Sequence, residues 1–331
     1  MTTKNLVEIR NLAKHFPIRK GFFNKQVGAV RALDGINLDI IEGETLGLVG
    51  ESGCGKSTLG RVMLRLMSAT NGQVSFDGNE IMQLDNAQMK PLRKQMQIVF
   101  QNPYASLDPR MSIAQILAEP LEVHNTFKGD NSALKAEVAR LIELVGLSKE
   151  MLERYPHEFS GGQRQRIGIA RALALKPRLI VADEPVSALD VSVQAQILNL
   201  LMDLKKEFSL TYLFIAHNLD VVRYISDRIA VMYLGRIVEI GPCLEVYGKP
   251  LHPYAKALIS AAPVPDPDFD RSHRVLLQGD LPSPAKPPPG CPFHTRCPIA
   301  RERCKVDVPP LREITPGHQA ACHFAEELLN A

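Results

Sequence analysis

The amino-acid sequence predicts an α/β fold in which a mostly parallel β-sheet is flanked by helices. Short β-rich runs alternate with helical patterns along the 331 residues. The runs that we expect to be buried strands lie at residues 45–49, 97–100, 179–182, 211–216 and 228–233. Apolar residues recur at helical spacing after Lys56, at Leu59, Val62, Met63 and Leu66, and across residues 134–145 and 193–204. Strand-like runs at 6–16 and 29–41 predict a small antiparallel layer beside the main sheet.

Composition and charge exclude several classes of protein. Apolar residues make up 45% of the chain and charged residues 23%, which is ordinary for a globular protein. The net charge is +3 and no dense Lys/Arg block occurs, so a nucleic-acid partner is not expected. The start of the chain lacks the apolar core of a secretory signal, and no apolar run is long enough to span a bilayer. We therefore expect a cytosolic protein, or one held at the cytosolic face of a membrane by partners.

The composition changes near residue 262. Ten of the 24 prolines lie between Pro263 and Pro298. Proline removes backbone donors and interrupts helices, so this stretch cannot form a regular layer of the core. The sequence thus predicts a main domain over residues 1–262 and a small Pro-rich, Cys-rich C-terminal extension over residues 263–331.

A phosphate-binding pattern follows the first predicted buried strand. The pattern G-x-x-x-x-G-K-[ST] is met by Gly50, Glu51, Ser52, Gly53, Cys54, Gly55, Lys56 and Ser57, and Thr58 follows it. Glycines let backbone N–H groups turn inward around phosphate oxygens, and the helix N-terminus adds positive potential. Lys56 can reach the β- and γ-phosphates, and the Ser57 hydroxyl can bind Mg²⁺. The sequence therefore predicts an ATP and Mg²⁺ site, with Cys54 contributing its N–H as a small loop residue.

Two carboxylates follow the predicted strand at residues 179–182. Ligands bind at the carboxyl edge of open α/β sheets. Asp183 is placed to hold Mg²⁺, directly or through water, and Glu184 to polarise the attacking water. A carboxylate pair after a strand is ordinarily a solvated strand end. Downstream of a phosphate loop, the pattern favours catalysis.

A third motif identifies the family. Phe159 precedes Ser160, Gly161, Gly162 and Gln163. This run resembles the signature of ABC-type ATPases, with Phe159 where leucine is commoner. The resemblance implies a P-loop NTPase domain with a RecA-like core, an antiparallel β subdomain and a helical subdomain. It also implies a head-to-tail dimer in which ATP lies between the phosphate loop of one chain and Ser160 of the other.

Four more residues fit the same family in order. Gln101 resembles the Q-loop glutamine, which touches Mg²⁺ or water and reports to the membrane partner. Asp190 lies in a run resembling the D-loop, and His217 resembles the switch histidine that acts near the γ-phosphate. Phe16 resembles the aromatic residue that stacks on adenine, with core packing as the alternative. Residues 19–31 look like an insertion after it.

The resemblance also indicates which machine the chain serves. There is one set of motifs and no coiled-coil heptad, which favours a transporter over DNA-maintenance or translation ABC proteins. Runs resembling dipeptide/oligopeptide importer ATPases lie at residues 101–110, 155–157, 185–192, 252–254 and 281–284. Nickel, glutathione or another small solute remains an alternative cargo.

The family resemblance implies several partners. They are a second ABC ATPase subunit, which would make a heterodimer, two membrane permease subunits and, indirectly, an extracytoplasmic solute-binding protein. The implied location is peripheral, on the cytoplasmic face of a bacterial-type inner membrane.

Four of the six cysteines crowd into the C-terminal extension. They are Cys291, Cys297, Cys304 and Cys322. Four thiolates on a segment with little core of its own suggest a metal anchor. The spacing resembles the four-cysteine element of dipeptide-importer ATPases, which binds a 4Fe-4S cluster. Zinc, with His294, His318 or His323 as substitute ligands, and unliganded thiols are the alternatives.

Overall fold

The computed structural model describes residues 4–261 and 279–329. The predicted boundary at residue 262 and the first part of the Pro-rich stretch lie outside the described residues. No helix in the described ranges is long and apolar enough to cross a membrane.

Twelve strands form in the described residues. They are β1 (Asn5–Lys20), β2 (Lys25–Ile41), β3 (Thr45–Val49), β4 (Asn71–Phe76), β5 (Asn79–Glu80), β6 (Met96–Val99), β7 (Leu179–Asp183), β8 (Thr211–Ile215), β9 (Arg228–Tyr233), β10 (Arg236–Pro242), β11 (Arg312–Thr315) and β12 (His318–Ala320). All five predicted buried strands are present, with ends that differ by no more than one residue.

Twelve α-helices form in the described residues. They are α1 (Lys56–Met63), α2 (Asn86–Gln95), α3 (Pro103–Ser106), α4 (Ile113–Val123), α5 (Asn131–Leu144), α6 (Gly161–Leu173), α7 (Val191–Phe208), α8 (Leu219–Ile225), α9 (Cys243–Gly248), α10 (Pro253–Ser260), α11 (Glu302–Val306) and α12 (Ala325–Leu329). Short 3₁₀ turns lie at Lys149–Met151 and Pro156–Glu158. Asp85, Ser112 and Ser160 close capping boxes at the starts of α2, α4 and α6.

The chain divides into two units, the first made of residues 1–83 and 215–331. It holds an antiparallel sheet in the order β2-β1-β4-β5. The antiparallel pair β1 and β2 covers the two strand-like runs predicted at 6–16 and 29–41. In its other sheet, β3 lies parallel to β9, and β10 and β12 follow β9 in order. All five residues of β3 are buried, so this strand holds the start of the following loop in place.

The second unit spans residues 84–214. Its strands β6 and β7 are parallel, with Val99 opposite Ala182. Helices α4, α5 and α6 pack against one another and bury apolar side chains such as Leu117, Leu141 and Ile167. The carboxyl ends of β6 and β7 therefore lie side by side within this unit.

Two local features differ from the sequence-based expectation. Helix α1 ends at Met63, and Leu66, predicted to continue its apolar face, is exposed. Arg65 takes a left-handed backbone conformation with φ 52°, which turns the chain out of the helix. In the C-terminal extension, β11 and β12 join the sheet through β10, an addition that no sequence pattern indicated.

Candidate functional site

The phosphate loop, residues 50–58, requires glycine at two positions. Gly50 has φ 156° and Gly55 has φ 111°, and both values are rare for residues with side chains. A Cβ at Gly50 would lie 2.2 Å from the Met232 carbonyl oxygen, and one at Gly55 would lie 2.2 Å from that of Ala32. Backbone packs directly against backbone here, so any side chain would force the loop open.

Lys56 is folded into this loop. Its Nζ donates to the carbonyl oxygens of Gly50, at 2.7 Å, and Glu51, at 3.1 Å, and the residue is only 3% exposed. Hydrogen bonds of this kind offset the lost hydration of a buried ammonium group. The charge lies at the start of α1, where helix N–H groups already favour an anion. Ser57 and Thr58 continue the first turn of that helix.

Cys54 serves the packing of the loop. Its side chain is buried, and burial raises the pKa of its thiol, which is therefore protonated near neutral pH. The Gly235 N–H donates to the Cys54 carbonyl oxygen at 2.9 Å. A protonated, inaccessible thiol is a poor nucleophile, which favours the small-loop-residue interpretation over a redox role.

Two residues that the sequence analysis missed hold the loop from the C-terminal side of the chain. The Glu51 N–H donates to the Tyr254 hydroxyl at 2.8 Å. Arg296 donates to both oxygens of the Glu51 carboxylate, at 2.7 and 3.0 Å. This hydrogen bonding raises the pKa of Arg296 far above its ordinary value, so the guanidinium stays charged. Tyr254 lies in a run noted only as a family resemblance, and no sequence signal pointed to Arg296.

Phe16 and His217 belong to the same unit as the phosphate loop. Phe16 lies in β1 opposite Val30, and its ring is exposed, with the Lys14 Nζ 5.1 Å from the ring centre. It is not part of the core. His217 follows β8, where the Ala216 N–H donates to the Leu48 carbonyl oxygen at 3.2 Å. That bond ties the start of the His217 segment to β3, the strand that leads into the loop.

The second unit brings Gln101 and Glu184 together. Each lies two residues beyond a paired position, Val99 in β6 and Ala182 in β7, so the parallel register sets them side by side. The Gln101 amide Nε2 donates to the Glu184 carboxylate at 2.9 Å. Asp183, the last residue of β7, is buried. The predicted Q-loop residue and the predicted base are thus in direct contact.

Glu184 is held in an unusual backbone conformation. Its φ is 47°, in the left-handed region where non-glycine residues are uncommon. Its carbonyl oxygen accepts hydrogen bonds from the N–H and the hydroxyl of Ser187, at 3.3 and 3.1 Å. Strain of this kind persists where surrounding contacts enforce it, commonly at functional sites. Asp190 begins α7, where its exposed side chain makes no capping bond.

The signature run forms the start of α6. The Ser160 hydroxyl accepts from the Gln163 N–H at 3.3 Å, and the Gln163 side chain accepts from the Ser160 N–H at 3.0 Å. Ser160 is exposed, whereas Phe159 is buried. Phenylalanine at the position where leucine is commoner therefore packs in the core and leaves Ser160 on the surface. The first turn of a helix carries N–H groups that lack intrahelical partners, and such groups can bind anions.

The four cysteines of the C-terminal extension line one cavity, joined by His294 and His323. Its volume is about 10 Å³, about the space that one water needs. Burial and the neighbouring thiols raise the pKa of Cys291 and of Cys322 to about 11. His318 lies elsewhere, 2.8 Å from the buried Glu239.

The donor chemistry of four clustered thiols fits a soft metal or an iron–sulfur cluster. Among the described residues, however, no set of three or more His, Cys, Asp or Glu side chains has the arrangement of a finished metal site. Metal binding would have to deprotonate the thiols and reposition them.

Two family models match the chain. The ABC transporter family matches residues 33–187, and the family described as the C-terminal region of oligopeptide/dipeptide transporters matches residues 238–304. The oligopeptide transport ATP-binding protein AppF of Bacillus subtilis (strain 168) is 53% identical over 98% of this chain and 99% of its own length. The probable peptide ABC transporter ATP-binding protein y4tS of Sinorhizobium fredii is 53% identical over 96% of this chain and 89% of its own length.

Solved structures of ATP-binding cassettes have the same fold. The dimeric MJ0796 cassette in a post-hydrolysis state bound to ADP and Pi superposes with a TM-score of 0.64. It is 28% identical and covers 72% of this chain and 98% of its own. CbiO1 from Clostridium perfringens, part of the CbiONQ transporter complex, gives a TM-score of 0.63 at 26% identity, covering 74% of this chain and 91% of its own.

Proposed function

The chain belongs to the ABC transporter family of ATP-binding proteins, in its oligopeptide/dipeptide group, and we propose that it is the ATP-hydrolysing motor of a peptide importer. The observation that carries the ATPase assignment is the phosphate loop, where backbone contacts admit only glycine and a buried Lys56 supplies the charge. The similarity to peptide-transport ATPases along nearly the whole chain supports peptide as the cargo.

We propose the following roles at the nucleotide. Backbone N–H groups of residues 50–58 bind the phosphates, Phe16 stacks on adenine, and Ser57, Gln101 and Asp183 serve Mg²⁺. Glu184 acts as the general base on water, and the bond from Gln101 supports this role because it fixes the carboxylate. His217 acts near the γ-phosphate.

A second subunit completes the catalytic cycle in this proposal. The exposed start of α6, Ser160 to Gln163, acts on the nucleotide of the partner, and Asp190 lies at the same interface. Binding of two ATP molecules closes the pair, and hydrolysis reopens it. The partner is a related ATPase, in a heterodimer, and two permease subunits and an extracytoplasmic binding protein complete the importer. The chain then lies peripherally on the cytoplasmic face of the inner membrane, and no nucleic acid takes part.

Transport by the reconstituted complex tests the cargo. The chain, its partner ATPase and the permeases are placed in vesicles and supplied with the binding protein loaded with peptide, nickel or glutathione. ATP-dependent uptake of peptide supports the proposal. Uptake of nickel or glutathione, but not of peptide, assigns the alternative cargo. An active ATPase that does not assemble with any permease argues for a function outside transport.

We propose that residues 1–262 form the ATPase domain and residues 263–331 form the C-terminal extension. We also propose that the extension binds a 4Fe-4S cluster through Cys291, Cys297, Cys304 and Cys322. The gathering of these four thiols around one cavity supports the proposal. When bound, the cluster would tie together a segment that has little core of its own.

Metal analysis tests the cluster. The chain is purified without oxygen and assayed for visible absorption, iron, acid-labile sulfide and zinc. Iron and sulfide in equal amounts support the cluster. Stoichiometric zinc in a colourless sample assigns the zinc alternative. A sample without iron, sulfide or zinc shows that the thiols bind no metal and contradicts the cluster.

A further inference from the structure

The first hairpin of the chain extends well beyond the rest of its sheet. Strands β1 and β2 remain paired out to Lys20 opposite Lys25, whereas β4 pairs with β1 only as far as Ala13. The turn is closed by the Asn24 N–H, which donates to the Gly21 carbonyl oxygen at 3.1 Å. Gly21 and Asn24 both take positive φ, 77° and 51°, which suits these residue types. The hairpin tip, residues 19–25, thus has a defined shape.

The hairpin tip presents two aromatic rings to its surroundings. Phe22 is 99% exposed and Phe23 is 91% exposed, the highest values among the large apolar side chains in the described ranges. Their ring centroids lie 5.7 Å apart with the planes at 89°, so the rings contact each other edge to face. Val27 on β2 is also exposed. An apolar projection of this kind marks a site of interaction.

The charge around the two rings is uniformly positive. Arg19 and Lys20 precede them and Lys25 follows, and no Asp or Glu occurs between Glu8 and Asp34. All three basic side chains are exposed, and within the described part of the chain none of them takes part in an ion pair. This cationic collar therefore remains available to an anionic partner.

We propose that the hairpin tip docks on an anionic membrane surface, with Phe22 and Phe23 in the interfacial layer and the cationic collar on the lipid headgroups. Aromatic rings favour the membrane–water interface, and clustered Lys and Arg side chains are attracted to anionic lipid. Buried apolar area and electrostatic attraction to anionic lipid both strengthen peripheral binding. Positive charge on both flanks of an apolar apex favours a lipid surface over a protein pocket. The inference uses the proposed location at a membrane, but its test needs neither transport nor hydrolysis.

Vesicle co-sedimentation of the purified full chain tests the inference. The chain is mixed with vesicles of phosphatidylglycerol and phosphatidylcholine, or of phosphatidylcholine alone, at low and high salt. We expect binding to the anionic vesicles that weakens at high salt, where the screening length is short. Phe22→Ser with Phe23→Ser should weaken binding at least about tenfold, because the apolar surface leaves the interface. The double variant Lys20→Gln with Lys25→Gln should bind anionic vesicles more weakly, and its remaining binding should depend less on salt.

Leu244→Ser provides the matched control. Leu244 is also an exposed apolar residue, on α9, but it lies next to Glu245 and outside the hairpin. This variant should bind vesicles as the wild type does, and all variants should keep the wild-type melting temperature because the altered side chains are exposed. Binding that is equal on both vesicle types, or unaffected by loss of both rings, contradicts the inference. Loss of permease assembly with unchanged vesicle binding would also contradict it, and would assign the hairpin tip to a protein partner.

Discussion

Arg296 donates two hydrogen bonds to the carboxylate of Glu51, joining positions 245 residues apart. Glu51 is the second residue of the phosphate loop, and Arg296 directly precedes Cys297 of the four-cysteine group. The arginine side chain is only 7% exposed and the glutamate side chain is 27% exposed, so solvent screens the pair only in part. The C-terminal extension therefore helps to fix the phosphate loop.

Removing this arginine should weaken nucleotide binding. Arg296→Gln leaves the Glu51 carboxylate without its cation. Loss of hydrogen bonds to a charged group costs about 1.5–3 kcal/mol. Part of this free energy would be lost from nucleotide binding, because the loop is less well held in its binding conformation. We expect ATP affinity to fall about 3- to 10-fold, measured by titration with a fluorescent nucleotide.

Arg301→Gln is the control for Arg296→Gln. Arg301 lies in the same extension and pairs with Glu327 at the surface, away from the phosphate loop. Its loss should leave ATP affinity unchanged. Equal affinities for the wild type and Arg296→Gln would show that the pair does not position the loop.

Gly162→Ala should impair turnover. A Cβ at Gly162 would lie 2.5 Å from Cγ1 of Val193, a stiff side chain at the start of α7, so the start of α6 must shift. We expect steady-state ATP hydrolysis to fall at least about tenfold while ATP affinity of the isolated chain stays unchanged, since in the proposed dimer the signature acts on the partner's nucleotide. Gly168→Ala in the same helix meets no atom within 4 Å and should retain full activity. Equal loss in both variants would show that the contact with Val193 is not the cause.

The pH dependence of stability should include a contribution from Asp34. Burial acts to raise the pKa of this carboxyl, but Arg236 at 2.7 Å, with Arg31 and His15, outweighs burial and lowers it. A folded pKa below the ordinary value of 3.8 means that Asp34 stabilises the fold above that pH and loses this effect as the pH falls through the folded value.

Asp34→Asn should therefore lower stability by about 1 kcal/mol near neutral pH, with the difference shrinking below about pH 4. Denaturant unfolding at several pH values measures this. Asp203→Asn, at an exposed position on α7, should show no such trend. A stability difference that is constant down to acid pH would contradict the role given to Asp34.

The local parts of the site could be predicted from sequence because each depends on a short pattern. The strand, glycines and Lys56 of the phosphate loop are contiguous, and so are β7, Asp183 and Glu184. The Gln101–Glu184 contact needs only the further step that β6 and β7 are parallel neighbours.

Contacts across long sequence separation could not be predicted. Tyr254 and Arg296 reach Glu51 from 203 and 245 residues away, and neither belongs to a periodic pattern. The pairing of β12 with β10 likewise depends on tertiary structure, because an isolated three-residue strand has little propensity of its own. Residues 19–31 looked like an insertion, and only the structure shows them as the outer part of a hairpin.

ATP turnover by Glu184→Gln tests the account most directly. The amide keeps the size of the side chain but cannot accept a proton from water. We predict that the variant binds Mg-ATP with wild-type affinity, releases phosphate at least about 100-fold more slowly, and accumulates as an ATP-bound dimer on size-exclusion chromatography. Glu150→Gln, at an exposed 3₁₀ position, should hydrolyse ATP normally. Wild-type phosphate release by Glu184→Gln would contradict the assignment of Glu184 as the base.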